Sequence, residues 1–227
     1  MSHYEKTWQA VSERIDVAVR SAGRPAGSVR LLAVSKTFPA EAVRAVYAAG
    51  QRAFGENKVQ EGAAKRQALA DLRDVEWHLI GPLQTNKSRV AAGSFDWVES
   101  VDRLKIAQRL SALRPQSMGP LNVLVQVNVS GEASKSGVVP DEALALAKEV
   151  AELPRLRLRG IMGIPAPTDE VAQQRAQFRR LRQCFEQCRA AGLAVDTLSM
   201  GMSGDLEAAV AEGATQVRVG TAIFGAR

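Results

Sequence analysis

The chain changes hydrophobic period repeatedly along its length. Its opening stretch, about Tyr4–Ala22, carries apolar residues at helical spacing and predicts an amphipathic helix ended by Gly23. Beyond it, apolar runs of strand length recur at "VRLLAVS", "RAFGE", "EWHLIG", "DWVESV", "LNVLVQVNV", "LRLRGIMG", "DTLSMG" and "TQVRVGTAIFG", eight in all. Stretches at helical spacing separate them, among them "PAEAVRAVYAAG", "VQEGAAKRQALADL", "PDEALALAKEVAEL" and "DEVAQQRAQFRRLRQCFEQCRAAG". Gly50, Gly192 and Gly213 stand as C-terminal stops, and Asp141, Asp169 and Asp205 lie near helix starts.

Strands that alternate with helices in this way pair in parallel through right-handed crossovers. An open doubly wound sheet and a closed barrel both satisfy the alternation. Eight strands in 227 residues favour the closed α/β arrangement, a (β/α)8 TIM barrel with an extra N-terminal helix. That helix is expected to cap one end of the barrel or to pack outside it. No Pro/Gly/Ser-rich linker and no low-complexity segment interrupts the chain, so residues 1–227 read as one domain.

Composition narrows the function classes. Apolar residues make up 46% of the chain, yet no run approaches the roughly 18 residues of a membrane span. The start, "MSHYEKTWQAVSERI", is charged and lacks the apolar centre and small-residue cleavage site of a secretory signal, so a cytoplasmic protein is expected. Cys184 and Cys188 stand at i, i+4 on a predicted helix with no second pair or histidine cluster, which reads as two reduced thiols and not as a metal site. The formal charge of +6 raises the question of nucleic acid. The arginines (Arg14, Arg24, Arg44, Arg66, Arg109, Arg189) alternate with acids, however, and aromatics are only 5%, so neither a basic stripe nor a stacking platform forms. Anionic small molecules fit this charge better than a polyanion.

The candidate chemistry sits at predicted strand ends. Lys36 follows the buried-looking run "VRLLAVS", and in a barrel of this kind reactive groups gather at the C-terminal ends of strands, with anions held after strands seven and eight. After strand seven, "MGMSGDLEAAV" offers Gly201 and Gly204 for close backbone approach and Ser203 for its hydroxyl; capping by Ser203 or Asp205 is the ordinary alternative. In "VRVGTAIFG" the two valines flanking Arg218 share one face, so Arg218 takes the other, toward the interior, as a ligand contact or an internal ion pair. Gly220 and Thr221 follow at the strand's end. Closing the barrel makes strands one and eight neighbours. A lysine, a hydroxyl-and-glycine anion cradle and an inward arginine together suit pyridoxal 5′-phosphate (PLP).

The motifs "AVSKTFP", "FGENKVQE", "WHLIGPLQTNK", "GIMGI", "LSMGMSGD" and "VRVGTAIFG", in that order over nearly the whole chain, resemble the pyridoxal phosphate homeostasis protein family. The family's fold is similar to the N-terminal domain of alanine racemase, a type III PLP barrel. The resemblance implies that Lys36 carries the cofactor as an internal aldimine, a Schiff base, and that Asn57 lies beside its ring. It implies that Ser203, Gly220 and Thr221 meet the phosphate, with backbone from Gly201 and Gly204, and that Arg218 meets the pyridine nitrogen. Met200 and His78 are expected to line the pocket, His78 as a hydrogen-bonded packing residue without a catalytic role. The loop "SGEASKSGV" also fits the family, and its Lys135 is a candidate for transient cofactor handling beside the default of a solvated loop lysine.

An always-charged arginine at the pyridine nitrogen keeps that nitrogen unprotonated and weakens carbanion stabilisation, although racemases of this fold type work with one. Alanine racemases add a C-terminal β-domain and a tyrosine base. Here the chain is expected to end soon after its last strand, and Tyr4 and Tyr47 fall in predicted helices. The resulting expectation is a protein of PLP homeostasis and delivery without turnover, passing cofactor to apo PLP-dependent enzymes, as a monomer or weak homodimer. The alternative is a weak PLP-dependent amino-acid racemase.

Overall fold

Alternating apolar positions close on themselves in the computed structural model, which describes residues 2–132 and 135–225. Strands β1 (Arg30–Val34), β2 (Ala53–Glu56), β3 (Glu76–Leu79), β4 (Trp97–Val101), β5 (Leu121–Val127), β6 (Leu156–Gly163), β7 (Thr197–Ser199) and β8 (Gln216–Val219) form a closed parallel barrel in sequence order. Closure is made by β1 and β8, which set Leu31 beside Val217 and Leu32 beside Arg218. Helices α2 (Ala40–Ala48), α3 (Val59–Ala68), α4 (Ser88–Ser94), α5 (Leu104–Leu113), α6 (Pro140–Ala151), α7 (Val171–Ala190) and α8 (Leu206–Ala211) connect the strands. No described helix is long and apolar enough to cross a membrane.

The N-terminal helix α1 (His3–Ser21) packs outside the barrel against α2, α8 and a last short helix, α9 (Thr221–Phe224). Its start is held by a capping box in which Ser2 and Glu5 each accept the other's backbone N–H, at 3.1 and 3.2 Å. The segment "TAIFG", which the pattern assigns to strand eight, turns instead into α9. Gly220 carries the chain out of the strand, and Ile223 and Phe224 bury themselves outside the barrel, Phe224 stacked on Phe38 at 5.1 Å between centroids. Thr7 of α1 fixes this turn by donating to the Ile223 carbonyl at 2.8 Å.

Period two divides the strands into two layers. Ala33, Phe54, Trp77, Leu79, Val98, Val123, Ile161, Leu198 and Val217 face the helices and form the main core. The inward positions form two separate apolar clusters, Leu32, Val34, Ala53 and Ile80 in one and Trp97, Leu124 and Met162 in the other. His78, Glu99, Ser199, Gln216 and Arg218 share those strands' inward parity and are all buried.

Helix α3 lies close against the barrel because Gly62 lacks a side chain. A Cβ there would fall 2.4 Å from the ring of Phe95, which is fully buried and has no room to swing. Alanine raises helix propensity by about 1 kcal/mol over glycine, but overpacking a core costs about 1–3 kcal/mol, so packing decides the sign. Gly62→Ala is expected to lower Tm by about 3 °C in a chain of this size, whereas Gly93→Ala, with nothing within 4 Å, should raise it slightly. Thermal denaturation of the two variants beside the parent checks both signs.

Candidate functional site

A cavity of about 500 Å³ opens at the C-terminal ends of the strands, within the range of small-molecule sites. Lys36 lines it from a turn two residues beyond Val34, the end of β1. Lys36 keeps the inward parity of Leu32 and Val34, while Ser35 points outward to bond Glu56. Asn57, just past β2, lines the cavity too; its carbonyl lies so near Gly81 that a Cβ there would come within 2.2 Å. That glycine lets the β2 and β3 loops touch at the mouth.

The wall adjoining Lys36 comes from the turns after β7 and β8, since β8 pairs with β1. Ser203, Gly204, Gly220 and Thr221 line it together with Arg218. The turn before α8 is tied internally, Asp205 accepting from the Met202 N–H at 2.6 Å, and Arg14 of α1 donates to the Ser203 carbonyl at 2.8 Å. Neither Ser203 nor Asp205 caps α8 with its side chain, so the ordinary capping alternative does not account for the serine. Among the described residues no hydrogen bond engages the Ser203 or Thr221 hydroxyl, which leaves both available to a ligand anion.

Arg218 is 3% exposed and donates to the Ser199 hydroxyl and the Gly163 carbonyl, each at 2.8 Å. Its charge is balanced at one remove. Glu99 of β4, fully buried, receives Ser199 at 2.7 Å, Gln216 at 2.7 Å and His78 Nδ1 at 2.7 Å. Burial alone would raise the Glu99 carboxyl, but His78, Arg218 and Ser199 outweigh it and hold it below its usual range. Burial lowers the Arg218 guanidinium, opposed by the charges of Glu99 and Asp205. The interior thus carries a linked chain of polar groups under the cavity floor, ending at Arg218, the one arginine among the described residues that lines the cavity.

Three expected lining residues do not reach the cavity. His78 lies below it, stacked on Trp97 at 5.0 Å and bound to Glu99. Its Nε2 has no hydrogen-bond partner among the described residues and faces the Glu76 carboxylate at 3.9 Å. Met200 has the wrong parity: Ser199 points inward, so Met200 turns into the outer core, and Met202, two residues on, lines the cavity instead. Gly201 supports the turn from behind. It has φ of 93°, a Cβ there would lie 2.4 Å from Ala209, and its carbonyl accepts from the Arg218 N–H at 2.9 Å.

Other lining residues escaped the sequence reading. Gln126, an amide in the apolar run of β5, shares the inward face and donates to the Ser136 carbonyl at 3.1 Å; its polarity on that parity was a usable signal. Phe38, Ile80 and Ile164 add apolar walls and carried no such signal. Lys135 reaches the rim, paired with Glu132 at 3.0 Å and donating to the Pro165 carbonyl at 3.3 Å. Ala133 and Ser134 of its loop lie outside the described residues. Cys184 and Cys188 are far from this chemistry, both buried thiols; burial pushes Cys188 up to about 11. Among the described residues no group of three or more His, Cys, Asp or Glu could hold a metal.

A family model described as the alanine racemase N-terminal domain matches residues 8–227. The pyridoxal phosphate homeostasis protein of Pseudomonas aeruginosa is 58% identical over 227 residues, covering 100% of this chain and 97% of that protein. The protein of the same name from Escherichia coli K12 is 52% identical over 219 residues, 96% of this chain and 94% of its own. Among solved structures, PipY of Synechococcus elongatus with PLP bound is 41% identical, with a TM-score of 0.80 over 93% of this chain and 100% of that one. Matched over almost its full length by that domain and by relatives of more than half identity, the chain belongs to the pyridoxal phosphate homeostasis protein family.

Proposed function

We propose that the protein holds pyridoxal 5′-phosphate reversibly in the strand-end cavity and hands it on, without turning over a substrate. One observation carries the reading: a single cavity joins the Lys36 amine, the Ser203 and Thr221 hydroxyls and the buried Arg218. This donor set fits the cofactor. Ser203 and Thr221, with the backbone at Gly204 and Gly220, would hold the phosphate; Asn57 would lie beside the ring; Arg218 would face the pyridine nitrogen; Lys36 would take the aldehyde end. Bound there, the group supplies an electrophilic aldehyde that condenses reversibly with an amine and releases water.

What the chain's own residues do afterwards favours custody. Arg218 reaches the cavity already charged and held by Ser199 and Gly163, so it keeps a facing nitrogen from taking a proton. Two-sided proton transfer to a substrate needs an acid or base on each face. Among the described residues the lining contains no carboxylate, imidazole, thiol or phenol. Tyr47 is bound to Asp74 on the outer surface, and Tyr4 packs against Phe224. Lys135, the other amine at the rim, is engaged by Glu132 and Pro165. Delivery to apo PLP-dependent enzymes is the form of custody that accords with the homeostasis name of the relatives. The rival reading, a weak amino-acid racemase, is favoured by the barrel's membership of the alanine racemase N-terminal domain.

Two experiments test this. Lys36→Ala should lose the visible absorbance of the loaded protein while keeping its far-UV circular dichroism, and the parent should racemise alanine no faster than that variant. Sustained turnover that vanishes with Lys36 would replace custody by catalysis. The phosphate assignment is separable: Ser203→Ala with Thr221→Ala should weaken PLP binding by about tenfold or more, from the loss of hydrogen bonds to a charged group. Pyridoxal, which lacks the phosphate, should bind both proteins alike. Equal PLP titrations would remove these hydroxyls from the site.

A further inference from the structure

The turn that presents Lys36 is gripped from behind by a buried ionic cluster. Ser35, Lys36, Thr37 and Phe38 form a tight turn, closed by the Phe38 N–H donating to the Ser35 carbonyl at 3.1 Å. Thr37 has φ of 69°, a left-handed conformation that a type II turn ordinarily assigns to glycine at this position. A β-branched residue there is strained, and strain persists only where the surroundings impose it.

The surroundings are α3 and the end of β2. Lys65 of α3 donates to the Ser35 carbonyl at 2.7 Å, to Glu56 Oε1 at 2.7 Å and to Glu61 Oε1 at 2.9 Å. The Ser35 hydroxyl donates to Glu56 Oε1 at 2.6 Å. On the other side of Lys36, the Thr37 N–H donates to Glu61 Oε1 at 2.5 Å. Side-chain exposure is 8% for Lys65 and 0% for Glu56, so this cluster is assembled out of water. A buried ion pair contributes little net stability once desolvation is counted, and glycine at position 37 would relieve the strain. Stability alone is therefore a poor reason for the arrangement.

We propose that Lys65 and Glu61 are positioning residues for Lys36. They fix the peptide groups on both sides of it and so direct its amine into the cavity in one orientation. The inference rests on the reading of the cavity as a PLP site. Pre-set orientation matters for a reversible bond, because a mobile turn would lose entropy each time the bond formed and would release the cofactor faster. Gly62 has a part in this, since the close approach of α3 that it permits brings Lys65 to the turn.

Glu61 is the member to vary, because it is 24% exposed and its removal leaves the buried Lys65–Glu56 pair intact. Full-length parent, Glu61→Ala and Glu61→Gln are loaded with PLP and diluted into alkaline phosphatase, which removes free cofactor, while the visible absorbance is followed. Glu61→Ala should lose its absorbance about tenfold faster than the parent, the scale of one lost hydrogen bond to a charged group. Glu61→Gln, whose amide oxygen still accepts from Thr37 and Lys65, should recover most of the parent rate. Without cofactor, the Tm of all three should agree within about 2 °C, as for a change at a partly exposed surface position. Release from Glu61→Ala at the parent rate, or no recovery in Glu61→Gln, overturns the clamp in a parent that loads normally. A parent that takes up no PLP overturns the reading of the cavity and the clamp with it.

Discussion

The pairing of β1 with β8 is the contact on which the site depends. It sets Leu32 beside Arg218 and Ala33 beside Val219, which brings residues nearly two hundred positions apart into one wall. The strict alternation of side chains along a strand does the rest. Once Leu32 faces inward, so do Val34 and, past the strand end, Lys36; once Val217 faces the helices, Arg218 must face the cavity. A one-residue slip in either strand would turn lysine and arginine out among the helices.

Beneath the cavity, the barrel holds polar groups where apolar side chains would fill the space at less risk. A buried carboxylate costs several kcal/mol unless its lone pairs are met. Glu99 meets that cost through His78, Ser199 and Gln216. Ser199 then passes the connection to Arg218, whose second arm rests on the Gly163 carbonyl. The consequence is a guanidinium held by neutral oxygens, with its counter-charge one residue away. Such an arginine stays charged and oriented, yet is not locked in a direct carboxylate pair that a ligand would have to break.

Much of this was legible in the residues because it follows from period. The eight strands and the inward Arg218 follow from alternation and the flanking valines. Lys36 by its place alone reads as a lysine reaching solvent, and becomes a candidate only through the anion cradle and arginine that barrel closure sets beside it. Misreadings arose where period stops. "TAIFG" continues an apolar pattern but leaves the sheet, since Ile223 and Phe224 find a better apolar surface against α1 and Phe38. Met200 stands one residue past β7 with the outward parity, a detail that a three-residue strand does not announce. His78, expected at the pocket lining, lies lower in the barrel against Trp97 and Glu99, a depth that strand parity does not reveal. Lys65 was invisible: a lysine among "GAAKRQA" reads as solvent-facing helix, and only the fold turns it toward Ser35.

The central claim is that this cavity is built to hold a cofactor on Lys36. Borohydride reduction of the loaded protein, followed by peptide mass spectrometry, tests it most directly by recording which amine carried the group. The account predicts one phosphopyridoxyl-modified peptide, with the mass addition on Lys36. Modification that falls on Lys135 instead, or spreads over surface lysines with Lys36 untouched, would contradict it.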